Sequence, residues 1–510
     1  MINKIVIILI FLVALSKTTL FSFYGFGLVD EGESLHNAQR ILAGDVPYRD
    51  FFAIFPPMDN YFYAIIFRLF GQSIQTPRVV SSFIFAFTPV LVFLICRRFA
   101  LIKWSIIPAV LLIFLDVNIE RLFLFTPIFL GLYLFLLAVD QENPWLFGWA
   151  GLMYGLSSLI RIDIPGTFIV ASVIILAIRF YVHDRQNWIR KWFIFSVCVG
   201  IGVGIPLVTM VIWMIRLNIF TIFIERALIS SVTITKLHHL AFPTLPDLIP
   251  KVFDPPTLSK TFTAYYGYAI LLTYLLSLFL LLKQAVFILK THIEIPIMLL
   301  AGVFSLPYIF GRTDMGHLIK GGTPFLFLIV FLFKNIQTLK FSFIAYSFVL
   351  SLFSVFLYQS AWWLRFNDQK IKVGDHVLTL NSKYPINSTK PSAESLKKAT
   401  AFLQNNSAPT EQVLILPYMA GLYFLADRPS PTQYNNLLAG FITSETEQRA
   451  FIYEIESKKV RIVVYDPDNG PKMQTTKMQD YNAIIHEYLM EEFQLVEQTE
   501  EGWLFMKRKI

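Results

Sequence analysis

Charge is scarce in this 510-residue chain. Asp, Glu, Lys and Arg make up 15% of it, against 55% hydrophobic and 16% aromatic residues. Soluble domains carry about 25% charged residues, so this balance excludes an ordinary soluble domain and points to a polytopic membrane protein. Cysteine is nearly absent. Cys96 and Cys198 both lie inside apolar runs, which excludes a disulfide framework and a cysteine-built metal site. No glycine-rich nucleotide-phosphate loop occurs, and no transporter-like internal repeat is visible. The net charge of +8 is scattered at segment ends rather than clustered, which fits topology signals and lipid headgroups and not nucleic acid. The N-terminus MINKIVIILIFLVALSKTTLFSFYGF lacks a small-x-small cleavage site and ends in aromatics, so it reads as a retained membrane helix.

What is present is a series of apolar runs near the length of about 20 residues that crosses a bilayer. They fall at 4–24, 77–97, 104–119, 121–139, 145–162, 164–182, 192–214, 265–282, 293–310, 322–335 and 340–359, giving about 11 spans. Basic residues gather in alternate loops: Arg97, Arg98 and Lys103; Arg179, Arg185, Arg190 and Lys191; Lys283 and Lys290; Lys334 and Lys340. The positive-inside tendency makes that side cytoplasmic. Only the acidic turn Asp140–Asn143 argues against the scheme.

An odd span count puts the tail outside. The opposite face then carries the first loop (25–76), the turn at Asp116, the Arg161-Ile-Asp163 turn, a long loop (216–262) and GRTDMGHLIKGG. The expected organisation is a membrane domain over 1–363 and a small extracytoplasmic α/β domain over 364–510. In that tail QVLILP, VRIVVY and WLFMKR read as strands. Helical patterns fall at Ala420–Ala426, Glu447–Ser457 and Tyr481–Phe493.

The first polar loop, DEGESLHNAQRILAGDVPYRDFFAIFPPMDNY, begins where the first span ends. Leu35, Ala38, Ile41 and Leu42 follow helical spacing, and Gly44 supplies a stop. Asp30 has two readings. With Glu33 it has the spacing of an N-capping box; with Glu31 it forms a catalytic carboxylate pair at a membrane face, Asp30 being the general base for a lipid-linked substrate. A cap fixes a carboxylate in place, so both can hold.

The run Asp30-Glu31, Ala38, Gly44, Pro47-Tyr48-Arg49-Asp50-Phe51, Pro56-Pro57, Tyr61, Phe70-Gly71 and Arg78 resembles the first periplasmic loop of GT-C fold glycosyltransferases. The likeness is to the bacterial protein-O-mannosyltransferase-like and aminoarabinose-transferase-like branch. RIDIPGTF at Arg161–Phe168 and GRTDMGHL at Gly311–Leu318 support it. The resemblance implies a multi-pass enzyme of the bacterial inner membrane that uses a polyprenyl-phosphate sugar, with the first-loop aspartate as catalytic base. It leaves the acceptor, whether protein, lipid or polysaccharide, open.

Other candidates have equally plain structural readings. Asp116 is a second acidic residue or the partner of Arg121. Arg161 and Asp163 support the site or neutralise each other. Asp50 is a supporting carboxylate, and Tyr48 and Tyr61 are the loop tyrosines suited to a sugar. Arg312, His317 and Lys320 share one glycine-rich turn that would meet a leaving phosphate, or else lipid headgroups. Adjacent His238 and His239 diverge on any regular element, so no metal pair is expected of them; no cofactor is indicated, and a divalent metal is left open. The expected reaction is inverting glycosyl transfer; the rivals are a flippase of lipid-linked saccharides and a non-catalytic assembly protein of glycan synthesis.

Overall fold

A computed structural model describes residues 2–23, 25–114, 123–250, 255–336, 368–373, 376–381, 393–468 and 477–509. Asp116, Arg121 and the apolar run 340–359 lie outside the described residues. The chain forms two compact units. One comprises residues 1–20, 78–216 and 239–364; the other comprises 21–77, 217–238 and 365–510. The sequence divides the chain at one point near residue 363, whereas these units interleave, and the first loop groups with the tail.

The first unit is a bundle of apolar helices. Among the described residues six are long and apolar enough to cross a membrane: Ile2–Phe21, Gln75–Cys96, Asp163–His183, Trp188–Arg216, Thr257–Lys283 and Glu294–Gly311. Met315–Gly321 and Pro324–Asn335, bent by 65°, make a seventh if taken as one span. Ile102–Phe114 and Phe125–Gln141 are apolar but shorter. Each of these helices except Met315–Gly321 overlaps a run read from the sequence, and most extend past it, by as much as eight residues at the start of Thr257–Lys283. Aromatics fill the interior: Phe129 meets Phe168 and Phe327 edge-on, at 6.0 and 5.3 Å between ring centroids. Ile201, Ile205, Val208 and Ile212 on Trp188–Arg216 stay exposed, as lipid-facing positions of a span do.

The tightest crossing joins Pro144–Ser158 to Trp188–Arg216. A Cβ on Gly151 would lie 2.1 Å from the Val199 carbonyl oxygen, and one on Gly202 equally close to that of Gly148. Only glycine allows backbones to approach this far, which is how membrane helices associate without a hydrophobic driving force.

The basic loops meet at one end of this unit. Arg98 grips both oxygens of Asp140 at 2.7 and 3.0 Å and reaches Glu294 at 3.6 Å. Lys191 pairs with Glu142 at 3.0 Å, and Arg179 donates to the carbonyls of Leu289 and Lys290. The acidic turn that seemed to contradict the topology is thus where two of the basic loops are neutralised.

The second unit holds a four-stranded sheet. Its strands β3 (Leu414–Leu416), β4 (Ile462–Tyr465), β5 (Phe493–Gln498) and β6 (Leu504–Arg508) lie in the order β3-β4-β6-β5. The β3–β4 pair is parallel and the others antiparallel. An unexpected hairpin, β1 (Asp368–Val373) and β2 (His376–Asn381), and a helix, Ala393–Asn406, precede it. Helix Glu445–Ser457 opens with a Ser444/Glu447 capping box, and its Phe451 and Ile455 join Ile485, Leu489 and Val463 in one core.

Candidate functional site

Asp30 sits in the second unit at the start of helix Asp30–Leu42. It is the first helical residue and not the cap. Val29 occupies the cap position without a side-chain bond, so the capping-box expectation is corrected. Asp30, Glu31 and Glu33 give the first turn the acidic character that complements a helix dipole. They then diverge. Asp30 is exposed and makes no hydrogen bond or ion pair among the described residues. Glu31 is buried and its Oε2 accepts the Gly27 N–H at 2.9 Å. Glu33 accepts from Asn436 Nδ2 at 3.0 Å.

The loop that follows is held by Arg40, which donates to Asp45 Oδ2 (2.7 Å), the Asp50 and Thr432 carbonyls and Asn435 Oδ1. Asp50 pairs with Arg49 and accepts the Val46 N–H; the Arg49 hydrogen bond outweighs partial burial and lowers its carboxyl below the ordinary range. Tyr48 is 1% exposed, has a left-handed φ of 69°, and donates its hydroxyl to the Phe55 carbonyl. That gives it a packing role, against the sugar contact expected of it. Tyr61 is half-buried.

On the same helix His36 is buried and stacks on Tyr423 at 4.8 Å. Burial, reinforced by the nearby Arg40 charge, pushes its imidazole down to about 3.

In the helical unit a second group forms at the end of Asp163–His183 opposite the basic loops. Asp314 caps helix Met315–Gly321 by accepting the His317 N–H at 2.9 Å. The same carboxylate takes His317 Nδ1 and Arg312 Nε, each at 2.8 Å. Burial opposes its charge, but the His317 and Arg312 contacts prevail and hold its carboxyl well below the usual range. Arg161 grips Asp163 through Nε and Nη2 and lies 5.0 Å from the Tyr308 ring centre; that ring packs against His317 at 4.9 Å, tilted by 31°. The two motifs read separately from the sequence therefore converge through Tyr308. Sequence reasoning passed over Tyr308 and Asp314, although Asp314 has N-cap spacing to His317.

The donors left over define what this group can do. Arg312 Nη1 and Nη2 have no partner among the described residues, and His317 keeps Nε2. An arginine fork beside an imidazole suits an oxyanion. Lys320 departs from the expected open turn: it is 8% exposed, in the last turn of the helix. His239 contacts the Gly311 carbonyl at 2.8 Å, which ties down the same turn. Among the described residues no three His, Cys, Asp or Glu side chains gather as metal ligands would.

No protein-family model and no curated protein matches this sequence. Solved structures do match. The archaeal oligosaccharyltransferase AglB from Archaeoglobus fulgidus, in complex with an inhibitory peptide and a dolichol-phosphate, aligns at 14% identity. Its TM-score is 0.53, over 91% of this chain and 69% of that one. ArnT from Cupriavidus metallidurans bound to undecaprenyl phosphate aligns over 99% of this chain and 97% of its own, at 11% identity and a TM-score of 0.51. Its apo state gives 0.52 at 12% identity, over 98% and 97% of the two chains. The chain has the GT-C fold, as the resemblance of its first loop implies.

Proposed function

We propose that this GT-C-fold chain is an inverting glycosyltransferase, moving a sugar from a polyprenyl phosphate to an acceptor hydroxyl outside the cytoplasm. The observation that carries the reading is Asp30: an exposed carboxylate with no partner among the described residues, on a rigid helix just after the first apolar helix. A carboxylate kept out of the protein's own hydrogen bonds can take a proton from an incoming hydroxyl. Its neighbours Glu31 and Glu33 hold the helix and are support. As the acceptor oxygen bonds to the anomeric carbon, the bond to the phosphate oxygen breaks and its electron pair leaves with the phosphate. The growing negative charge calls for donors of the kind Arg312 and His317 keep unengaged, with Lys320 as a further cation. One displacement inverts the anomeric centre. Solved relatives of this fold hold a dolichol-phosphate and undecaprenyl phosphate, which supports a lipid-linked donor.

The reading retains eleven crossings, counting the bent pair as one, the shorter helices Ile102–Phe114, Phe125–Gln141 and Pro144–Ser158, and the run 340–359, together with an extracytoplasmic tail. A reporter fused after Trp363 is then active outside and one after Arg98 inside. For the chemistry, the purified chain is given synthetic undecaprenyl-phosphate hexoses and pentoses together with envelope extract, and release of undecaprenyl phosphate is followed. Asp30→Asn should lower release about 10²- to 10⁴-fold at unchanged expression. Wild-type turnover in that variant ends the assignment.

A further inference from the structure

The turn before Asp30 and the first two turns of its helix are bound by a segment nearly 400 residues away in the chain. Gly421 N–H donates to the Leu28 carbonyl at 2.8 Å. Asn436, 1% exposed, donates through Nδ2 to Glu33 Oε2 at 3.0 Å and to the Val29 carbonyl at 3.5 Å; its Oδ1 accepts the Ala420 N–H at 3.1 Å. Asn435, 2% exposed, donates to Asn37 Oδ1 at 2.6 Å and accepts from Arg40, while Asn37 donates to Asn60 on helix Met58–Phe70. The backbones touch as well, since a Cβ on Gly32 would lie 2.3 Å from Gly421 Cα.

Buried amides are costly to leave unbonded, and an asparagine that matches two acceptors and one donor tolerates little displacement. Residues 28, 29 and 33 are all fixed by this segment, so Asp30 is fixed between them. We infer that Asn436, supported by Asn435, is a positioning residue for glycosyl transfer: the C-terminal domain sets the placement of the catalytic carboxylate through the first turn of its helix. The inference rests on the base reading of Asp30. It gives the C-terminal domain a part in the reaction that needs no contact with substrate, because a base misplaced by about 1 Å loses orders of magnitude in rate.

The test uses the full chain in detergent, with the undecaprenyl-phosphate sugar mixture and envelope extract as probe. Asn436→Ala should lower undecaprenyl phosphate release at least tenfold with the half-saturating donor concentration unchanged. It should also speed hydrogen exchange at the Gly32 and Glu33 amides at least tenfold. Combined with Asp30→Asn it should cause no further loss. Asn436→Asp should behave like Asn436→Ala, since a carboxylate has no proton to give to Glu33 or to the Val29 carbonyl. Unchanged release in a folded Asn436→Ala chain overturns the inference, whatever the exchange shows. If Asp30→Asn retains release, the base reading falls and this one with it; if only Asp30→Asn is impaired, the base stands and the positioning role alone is lost. A wild-type chain that releases nothing from the mixture brings down both.

Discussion

The two ends of the helical unit handle positive charge in opposite ways. At the basic end every close contact is internal: Arg98 on Asp140 and Glu294, Lys191 on Glu142, Arg179 on two carbonyls. At the other end Arg312 commits Nε to Asp314 and leaves both Nη groups unengaged among the described residues, and His317 leaves Nε2. Both ends are cationic, and composition alone cannot tell them apart. What separates them is where the spare donors lie: Arg97 and Arg98 each keep an Nε without a hydrogen bond but sealed inside, whereas the side chains of Arg312 and His317 are partly exposed. A cluster whose charges are paired or enclosed ties helices together; one with donors open to the outside, held by the partly buried Asp314, is prepared for an anion from outside the chain.

Removing the arginine at each end tests that contrast most directly. Arg312→Ala should cut undecaprenyl phosphate release about 10²- to 10³-fold, the range for one donor to a developing oxyanion, and raise the half-saturating donor concentration. Lys320→Ala should be milder, since that residue is already enclosed by protein. Donor titration at saturating acceptor separates these effects. If only acceptor dependence changes, this end of the bundle serves the other substrate.

Arg98→Ala should do the reverse, with turnover of the folded fraction within about twofold of wild type and a loss of stability. Glu294 is 1% exposed and would keep only His292, at 3.4 Å, so the loss costs about 3 kcal/mol, the low end for a broken buried pair because that neighbour stays and Arg98 is partly exposed. Thermal melting in detergent reads this. An unchanged melt would mean the basic end is no lock.

The contrast also shows what could be read from sequence. The apolar runs marked the helices because their length and uniform hydropathy are local properties. Strands β3, β4 and β6 were legible as short buried runs, whereas β5 was not: FQLVEQ continues straight from a helix and only Phe493 is buried. Asp30, Arg312 and His317 could be named one by one. Their differences in saturation could not, because Asp314 decides two of them and Asn436, four hundred residues on, holds the helix of the third. Long-range pairing of this kind leaves no periodicity to find.

A third treatment of charge, suppression, is found at His36. Its imidazole titrates near 3 in the folded chain against 6.5 when unfolded, so between those values the unfolded state binds the extra proton. The sign follows: the native fold has its full stability above about pH 6.5 and loses it as pH falls toward 3. At pH 4.5 the loss is about 2–3 kcal/mol. His36→Phe preserves a ring against Tyr423 but cannot titrate, so its melting temperature should fall less than wild type between pH 7 and 4.5. Parallel pH profiles would show that His36 is not the acid-sensitive group.

The smallest effect belongs to Lys191 and Glu142, whose side chains are 34% and 51% exposed. Solvent screens such a pair, and exposed pairs contribute about 0.2–1 kcal/mol, so Lys191→Ala should shift the melt by a degree or two and leave turnover alone. Glu142 makes the sharper variant. It ends helix Phe125–Gln141 with a left-handed φ of 45°, a backbone state glycine adopts without the Cβ penalty. Glu142→Gly therefore loses the ion pair and relieves a conformational cost of about 1 kcal/mol, and the two should cancel or leave slight stabilisation. A loss above about 2 kcal/mol in that variant would mean the exposed pair anchors the bundle as firmly as Arg98 does, and the basic end would then be one cooperative network rather than one buried lock with surface pairs beside it.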